Sequence, residues 1–457
     1  MSYLLPYLIS FGIGYLLISV LFAKKKNIDF FLHLFLAAGL GLAVSAEITF
    51  YSYVLFDRLN TFFVIFSNLA VLLGLITWRL FLSRAYTTPI LDIKNIAPKD
   101  ILAVGFLGFI SFSILVTYAN FYPLGGWDAW SCWNLKSKFL FLADSSWKNM
   151  FSPILWRSSP HYPLLLPLAN VWGWIWQREA AHIIPLANSI IFTFLTLGLL
   201  FCGLRQFIKT GPAVLGPLLI LMVPFAVKLT TSQYCDIIFA YFLLAAFLCL
   251  LLSKAGDSRP LALLAGVFLG LLSFTKSEGT ASAAVISLLS VAYLFSVKKG
   301  RGIFAQTLVV SFLAGLFFSA LSTVIFQLQF APANQTFING LTSPENPSHF
   351  RRFGIIFVFF LFEITSKKWG WVWLLILTGV FLGWRRCFNR QMIIFPLYVL
   401  CYGLVVVFYY FLNTYFEILW WLSVTLNRLL FSLLPAMVFW VFYGLFGPTE
   451  SEKENLP

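Results

Sequence analysis

The sequence predicts an all-α polytopic membrane bundle of about thirteen spans. Of the 457 residues, 60% are apolar and only 11% are charged, whereas soluble domains are roughly 45–50% apolar and about 25% charged. The apolar residues form long runs, and the 16 Trp and 18 Tyr are residue types that favour the boundary between membrane and water. So few charges cannot coat a soluble protein of this size.

Apolar runs of sufficient length define the expected spans. A helix that crosses a bilayer needs about 20 mostly apolar residues, because its backbone polar groups must be satisfied internally in lipid. Two shorter runs, 163–176 and 353–364, are expected to be helices lying at the interface. The candidate spans are 4–22, 30–53, 61–82, 101–119, 182–203, 213–228, 234–253, 260–274, 279–297, 303–328, 369–384, 391–412 and 429–446.

Basic residues predict the orientation, since Lys and Arg are enriched in cytoplasmic loops. Lys24, Lys25 and Lys26 follow the first span, and alternation from there places two long loops outside, 120–181 and 329–368. Long loops usually carry function. The expected parts are an N-terminal three-span extension (1–100), a core with the first outer loop (101–330), the second outer loop with the C-terminal spans (331–446), and a disordered cytoplasmic tail (447–457).

The net charge and the cysteines limit which classes of binding partner and metal site are expected. A formal charge of +14 in a soluble protein would suggest nucleic acid. Here topology and anionic lipid explain it, so no nucleic-acid partner is expected. The six cysteines form no CxxC pair and lie mostly in or beside apolar runs, which predicts neither a disulfide nor a cysteine-bound metal.

The first outer loop carries an acidic residue among indoles. Asp128 follows a span in a Gly-Gly-Trp turn and is flanked by Trp127 and Trp130. A carboxylate at a membrane surface is costly to desolvate, and one use for it is as a general base. The alternative is a helix N-cap.

Further along the same loop are candidate anion-binding residues. Trp133, Lys136 and Leu140 recur at helical spacing, which predicts an amphipathic interface helix over 129–142. Lys136 could hold a phosphate or reach lipid headgroups. His161, which opens the short apolar run, either has a structural role or donates to a phosphate or sugar oxygen.

Five short motifs stand beside the predicted spans. In chain order they are Gly126-Trp127-Asp128-Ala129-Trp130, His161-Tyr162-Pro163-Leu164, Tyr234-Cys235-Asp236, Thr275-Lys276-Ser277-Glu278-Gly279 and Asn427-Arg428-Leu429-Leu430. The first four together resemble the motifs of the GT-C superfamily of membrane glycosyltransferases, which includes protein O-mannosyltransferases and the aminoarabinose transferases of lipid A, and the fifth is similar to a segment of bacterial members. The match covers 101–330 well and the remainder loosely.

The resemblance implies a seven-span catalytic core and a sugar donor carried on a polyprenyl phosphate. The catalytic candidates are then Asp128 and Asp236, although Asp236 is also readable as an N-cap or a structural ion pair. The donor phosphate is expected to be bound by Lys276, His161, Arg351, Arg352, Lys136 and Arg428. The residues expected to bind acceptor or sugar are Trp127, Trp130, Tyr162, Tyr234 and Glu278.

These roles predict a single displacement with inversion at the anomeric carbon. Asp128 takes a proton from the acceptor, and Lys276 holds the charge of the departing lipid phosphate. The acidic motif has one carboxylate where several members have two, which weakens a metal site there and leaves a divalent metal ion an open question. The acceptor, a glycan, lipid or protein, is not specified. The expected location is a bacterial inner membrane, with the site facing the periplasm.

Two other classes remain open. A transporter or flippase of lipid-linked sugars carries ionisable groups at mid-membrane, where this chain has Glu47 and His33. An O-antigen ligase or polymerase relies on arginines and a histidine in a late outer loop, which His349-Phe350-Arg351-Arg352 resembles.

Overall fold

The computed structural model describes residues 3–23, 28–85, 97–256, 258–296, 302–334, 338, 349–412 and 416–448. All regular structure in these ranges is helical. The expectations for Lys24, Lys25 and Lys26, for much of the loop 329–368 and for nearly all of the tail lie outside the described residues.

Eighteen α-helices in the described ranges follow one another along the chain. The first nine are α1 (Leu5–Leu21), α2 (Phe30–Phe56), α3 (Thr61–Ala85), α4 (Pro98–Phe121), α5 (Asn134–Leu142), α6 (Leu165–Gln177), α7 (Ile183–Arg205), α8 (Thr210–Leu221) and α9 (Pro224–Thr231). The others are α10 (Asp236–Ala255), α11 (Arg259–Ser273), α12 (Ser277–Phe295), α13 (Gly302–Gln329), α14 (His349–Ile364), α15 (Val372–Leu382), α16 (Trp384–Cys387), α17 (Ile394–Leu412) and α18 (Ile418–Phe446).

Within the described ranges, nine of these helices are long and apolar enough to cross a membrane. The chain is therefore an integral membrane protein with an all-α bundle, as predicted. The shorter apolar helices α1, α11 and α15 also coincide with predicted spans. The full count of thirteen stays a prediction.

The predicted span 213–228 is interrupted by a sharp bend. It is divided between α8 and α9, which meet at an angle of 74°. Val223 is extended and Pro224 begins α9. Because proline has no backbone N–H and disfavours helical geometry in the residue before it, the chain turns at this point.

Helix α6 lies inside the protein, and its predicted placement at the interface is wrong. Every residue from Leu165 to Ile175 is buried. The Trp172 indole donates to the Pro6 carbonyl at 3.2 Å and to Ser10 Oγ at 3.0 Å on α1. The apolar run 163–176 is short for a span, which indicated an interface helix. In the structure α6 is apolar on all sides and is covered by neighbouring helices.

The N-terminal helices pack into the same core as the rest of the bundle. The Tyr241 hydroxyl on α10 donates to the Phe35 carbonyl on α2 at 2.8 Å. At the far end of α2, the Tyr53 hydroxyl donates to the Leu140 carbonyl on α5 at 2.6 Å. Helix α2 thus contacts both the buried helix α10 and the loop after α4, so residues 1–100 support the region that carries the candidate site.

Candidate functional site

The candidate site lies where four separate parts of the chain meet at one end of the bundle. These are the connection after α4 with Asp128, the start of α10 with Asp236, the α11–α12 connection with Lys276, and the third turn of α18 with Arg428. Residues far apart in the sequence thereby contact one another.

Two glycines set the position of Asp128. Gly125 has a left-handed backbone, with φ of +73°, a conformation that glycine adopts readily. The Gly126 N–H donates to the Ser232 carbonyl at 3.0 Å, and the Asp128 N–H donates to the Tyr234 hydroxyl at 3.3 Å. A Cβ on Gly126 would lie 2.4 Å from that hydroxyl, so only glycine allows this close approach.

Asp236 is fully buried and bound to two cations. Its Oδ1 accepts from Lys276 Nζ at 2.7 Å, and its Oδ2 accepts from Arg428 Nε at 3.0 Å. Arg428 Nη1 reaches Asp128 Oδ2 at 2.5 Å. Asp128, Arg428, Asp236 and Lys276 form one continuous chain of ion pairs, which we call the ion-pair network.

The exposed fraction of the side chains falls from the Asp128 end of the ion-pair network to the Asp236–Lys276 end. The side chain of Asp128 is 32% exposed and that of Arg428 is 18% exposed. The side chain of Lys276 is 3% exposed and that of Asp236 is fully buried. A ligand can therefore reach the network from the Asp128–Arg428 end, while the Asp236–Lys276 pair forms its base.

Aromatic rings surround the accessible end. The Arg428 guanidinium lies over the Tyr234 ring, 4.7 Å from its centre. Trp127 and Trp130 form an exposed edge-to-face pair with ring centres 4.4 Å apart. Exposed indoles beside polar groups provide flat apolar surface at the mouth of the site.

Tyr162 and Glu278 contact each other beside the α11–α12 connection. The Leu165 N–H donates to the Phe274 carbonyl at 3.2 Å, which fixes the His161–Leu164 segment beside the α11–α12 connection. The Tyr162 hydroxyl then donates to Glu278 Oε1 at 3.4 Å. The other carboxylate oxygen of Glu278 is buried without a hydrogen-bond partner among the described residues.

The predicted helix over 129–142 is confirmed, but its predicted placement at the interface is wrong. The segment is a π-helix, Ala129–Trp133, followed by α5, and Trp133, Lys136 and Leu140 are all buried. Lys136 Nζ donates to the Ser159 carbonyl at 2.6 Å and to the Tyr162 carbonyl at 3.3 Å. Lys136 thus ties together the outer loop, and its ammonium faces the protein instead of headgroups.

His161 is not a cationic phosphate ligand at neutral pH. Burial, reinforced by the charge of Lys136, lowers the pKa of His161 to about 4. The ring is therefore neutral at pH 7. Its ring lies edge-on to Tyr162, with ring centres 4.9 Å apart.

The two arginines of the second outer loop lie on α14. Arg351 is exposed. Arg352 Nη2 donates to the Tyr410 carbonyl near the end of α17 at 3.1 Å. The Tyr410 hydroxyl is 2.5 Å from Thr425 Oγ1 on α18. Arg352 therefore supports the end of the bundle where α17 and α18 meet.

A row of buried amides beside the site was not predicted. It runs from the connection before α10 to α1 and fixes the base of the outer loop. Asn170 and Asn188 were visible as polar residues within apolar runs, which is the only sequence signal for it. The successive contacts are Asn134 to Gln233 at 3.0 Å, Asn170 to Asn134 at 3.2 Å, Asn188 to Asn170 at 2.8 Å, and Tyr7 to Asn188 at 3.0 Å.

Among the described residues, side chains that commonly bind metals do not cluster. No three His, Cys, Asp or Glu side chains in the described ranges are grouped as metal ligands. In the ion-pair network, carboxylate oxygens that a metal would need already accept from Lys276 and Arg428.

Comparisons of the chain with protein-family models, with curated proteins and with solved structures give no match.

Proposed function

We propose that this protein is a membrane glycosyltransferase of the GT-C type, which transfers a sugar from a polyprenyl-phosphate donor to an acceptor at the non-cytoplasmic face. One observation carries the proposal. Asp128 and Lys276, chosen as base and phosphate-side cation, belong to one ion-pair network through Arg428 and Asp236. The site resemblance to bacterial enzymes favours an inner membrane with the site toward the periplasm.

The energetics favour a functional reading of the ion-pair network. Removing charges from water is expensive, and a buried ion pair is often no more stable than apolar residues of the same shape. The ion-pair network contains a fully buried carboxylate and is open to ligands on one side. A catalytic or binding role therefore explains it better than a contribution to stability. Charged groups at the end of a membrane bundle also suit the binding of a lipid phosphate at the bilayer boundary, which supports the proposed donor.

The contacts revise the roles expected from the sequence. Lys276 is occupied by Asp236, so it holds that carboxylate and sets the position of Arg428. Arg428 is the cation that a phosphate can reach, and its planar guanidinium suits phosphate oxygens. A donor phosphate would compete with Asp128 for Arg428 and release the Asp128 carboxylate.

The released Asp128 acts as the base in the proposed reaction. Its carboxylate takes the proton of the acceptor nucleophile as that nucleophile attacks the anomeric carbon. The bond between the anomeric carbon and the phosphate oxygen breaks, and the lipid phosphate departs with its added charge held by Arg428. One displacement inverts the configuration, and donor binding itself prepares the base.

Orientation and span count belong to the same proposal. Thirteen spans, with the connection after the first in the cytoplasm, would place the loops bearing Asp128, Lys276 and Arg428 together on the outer side. The agreement between this sidedness and the contacts of the ion-pair network supports thirteen spans.

A transporter of lipid-linked sugars is the second candidate. The break between α8 and α9, with its 74° bend, is the kind of interrupted span found in transporters. Such a protein moves the lipid across the bilayer and forms no glycosidic bond.

A transfer assay in nanodiscs separates the two candidates. Purified protein is incubated with short-chain polyprenyl phosphates carrying radiolabelled hexoses, together with lipid, glycan and peptide acceptors. We expect a labelled product of inverted configuration. Because a general base contributes roughly 10²–10⁴-fold, Asp128→Asn should reduce the rate by at least about 100-fold.

The matched control is Asp144→Asn, which removes an exposed carboxylate from the same outer loop and should leave the rate unchanged. Wild-type transfer by correctly inserted Asp128→Asn protein would eliminate Asp128 as the base. Lipid movement in proteoliposomes without any labelled product would favour the transporter.

A further inference from the structure

Two polar groups on the buried side of the site have no partner among the described residues. One is Oε2 of Glu278, whose sister oxygen accepts from Tyr162. The other is the hydroxyl of Tyr402, a residue on α17 that is only 2% exposed. Buried polar groups are almost always hydrogen-bonded, so two such groups close to an ion-pair network call for a ligand.

Helix geometry places these two groups opposite each other. The Ser282 Oγ on α12 and the Tyr398 hydroxyl on α17 are 3.0 Å apart, which joins the two helices at that level. Glu278 precedes Ser282 by one turn, and Tyr402 follows Tyr398 by one turn. Since the helices run in opposite directions under the proposed topology, both turns lead toward the ion-pair network.

The chemistry of the pair defines its ligand. A carboxylate oxygen only accepts hydrogen bonds, while a phenol both donates and accepts. A ligand between them must therefore offer at least one N–H or O–H donor. The surrounding charge agrees, because the carboxylates of Asp128, Asp236 and Glu278 outnumber the cations Lys276 and Arg428 by one.

We infer that Glu278 and Tyr402 form the sugar subsite of the donor, where they bind hydroxyl or ammonium groups of the sugar ring and disfavour sugars that carry a carboxylate. This inference rests on the proposed function and names its substrate class. Neutral hexoses and amino sugars fit the subsite. A uronic acid would bring a further negative charge next to Glu278.

The exposure of the side chains around the site indicates that this subsite binds the donor sugar and not the acceptor. The Asp128 end of the ion-pair network is open and bordered by the exposed Trp127 and Trp130, which suits an acceptor arriving from outside. Tyr402 lies at the enclosed end, on a membrane helix. A sugar whose phosphate engages Arg428 and whose lipid lies in the bilayer would extend to that enclosed side.

Binding measurements test this inference without requiring transfer. The probes are citronellyl phosphate and its glucosyl, mannosyl and galactosyl forms, each hexose also supplied as its 2-amino and uronic acid derivative. Calorimetry on the protein in nanodiscs gives the gain in affinity that each sugar adds to the bare phosphate. We expect at least one neutral or amino sugar to add tenfold or more, and the uronic acids to add nothing.

Two variants remove the inferred contacts. Glu278→Gln and Tyr402→Phe should each reduce the sugar-dependent gain about tenfold. Tyr402→Phe should leave the affinity for citronellyl phosphate unchanged and Glu278→Gln, which loses a negative charge, should not weaken it, which also shows that both variants are folded. Tyr293→Phe is the matched control. It makes the same change near the other end of α12, where the hydroxyl donates to the Gln391 carbonyl at 2.9 Å, and should keep the full gain.

The outcomes separate this inference from the proposed function. A sugar-dependent gain that both variants retain, or uronic acids that bind as tightly as neutral sugars, would overturn the subsite even if transfer occurs. A gain that the variants lose, in a protein that transfers nothing, would keep the subsite and reject the transferase. A preference for the 2-amino form over its hydroxyl counterpart identifies an ammonium as the bound group.

Discussion

At the scale of single residues, Arg428 is the side chain on which the site depends. Its Nε and Nη2 bind the buried Asp236, and its Nη1 binds the accessible Asp128. Its planar guanidinium directs N–H groups at both carboxylates from fixed, separated positions, a geometry that the single ammonium group of lysine does not reproduce. Lys276 completes the charge balance around Asp236 from the other side.

The neutral state of His161 gives a prediction about pH. Its pKa is about 4 in the folded protein, against an ordinary value of 6.5. As the pH falls below 6.5, the unfolded chain takes up the proton first, so the folded state loses stability until about pH 4. The loss should approach about 3 kcal/mol, since each pKa unit corresponds to about 1.36 kcal/mol.

Melting temperatures in detergent at pH 7.5 and at pH 4.5 measure this effect. We expect the wild-type protein to lose more stability between these two values than His161→Asn, which cannot titrate at this position. Equal losses in the two proteins would show that His161 is protonated as easily when folded as when unfolded.

At the scale of elements, short connections position the chemistry. The chain between α4 and the π-helix Ala129–Trp133 lies against residues 232–234, and the α11–α12 connection presents Lys276. These connections are anchored by backbone hydrogen bonds, including Gly126 to Ser232 and Leu165 to Phe274. The site is thus built on loops that the ends of helices hold in place.

Substituting Gly126 tests the importance of this placement. In Gly126→Ala the new Cβ would meet the Tyr234 hydroxyl at 2.4 Å, so the turn or the ring must move. We expect a loss of about 1–3 kcal/mol in stability, as for other overpacked positions, together with displacement of Asp128 and reduced transfer.

The control is Gly105→Ala on α4, where an added Cβ has nothing within 4 Å. Alanine is favoured over glycine within a helix by roughly 0.5–1 kcal/mol, so this variant should be as stable as the wild type or slightly more so. Thermal unfolding of both variants provides the comparison, and equal behaviour would mean that the Gly126 turn tolerates a side chain.

At the scale of the whole molecule, the bundle joins the N-terminal helices to the candidate core. Tyr241 binds the backbone of α2, and the row of buried amides ends at Tyr7 on α1. The core is continuous from α1 to α18. Removing residues 1–100 should therefore unfold the candidate site, since it exposes this buried surface.

The proposed orientation can be tested with introduced cysteines and a maleimide that does not cross membranes. Ser145 is exposed in the first outer loop, and Gln206 is exposed after α7 on the proposed cytoplasmic side. On intact cells Ser145→Cys should be labelled, while Gln206→Cys should be labelled only after lysis. The native cysteines are buried or half-buried, so unmodified protein sets the background. The reverse pattern would place the ion-pair network in the cytoplasm.

The sequence by itself determined the fold class and the candidate residues of the ion-pair network. Apart from 213–228, which is broken between α8 and α9, the predicted spans coincide with helices, because hydrophobicity over about 20 residues is a local property. Charged residues beside apolar runs are costly to desolvate and therefore indicate a function. This made it possible to identify Asp128, Asp236, Lys276 and Arg428. Even so, the sequence predicted phosphate contacts for Lys276, which in the structure binds Asp236.

Only the tertiary structure decided which charges pair and which surfaces are covered. Lys136 and α6 were expected at the interface, but neighbouring segments bury both. The hydroxyl of Tyr402 has no hydrogen-bond partner among the described residues, and nothing in the apolar run of helix α17 indicated this. Burial and pairing depend on segments that are distant in sequence, because desolvation and Coulomb energy are set by whatever surrounds a group in three dimensions.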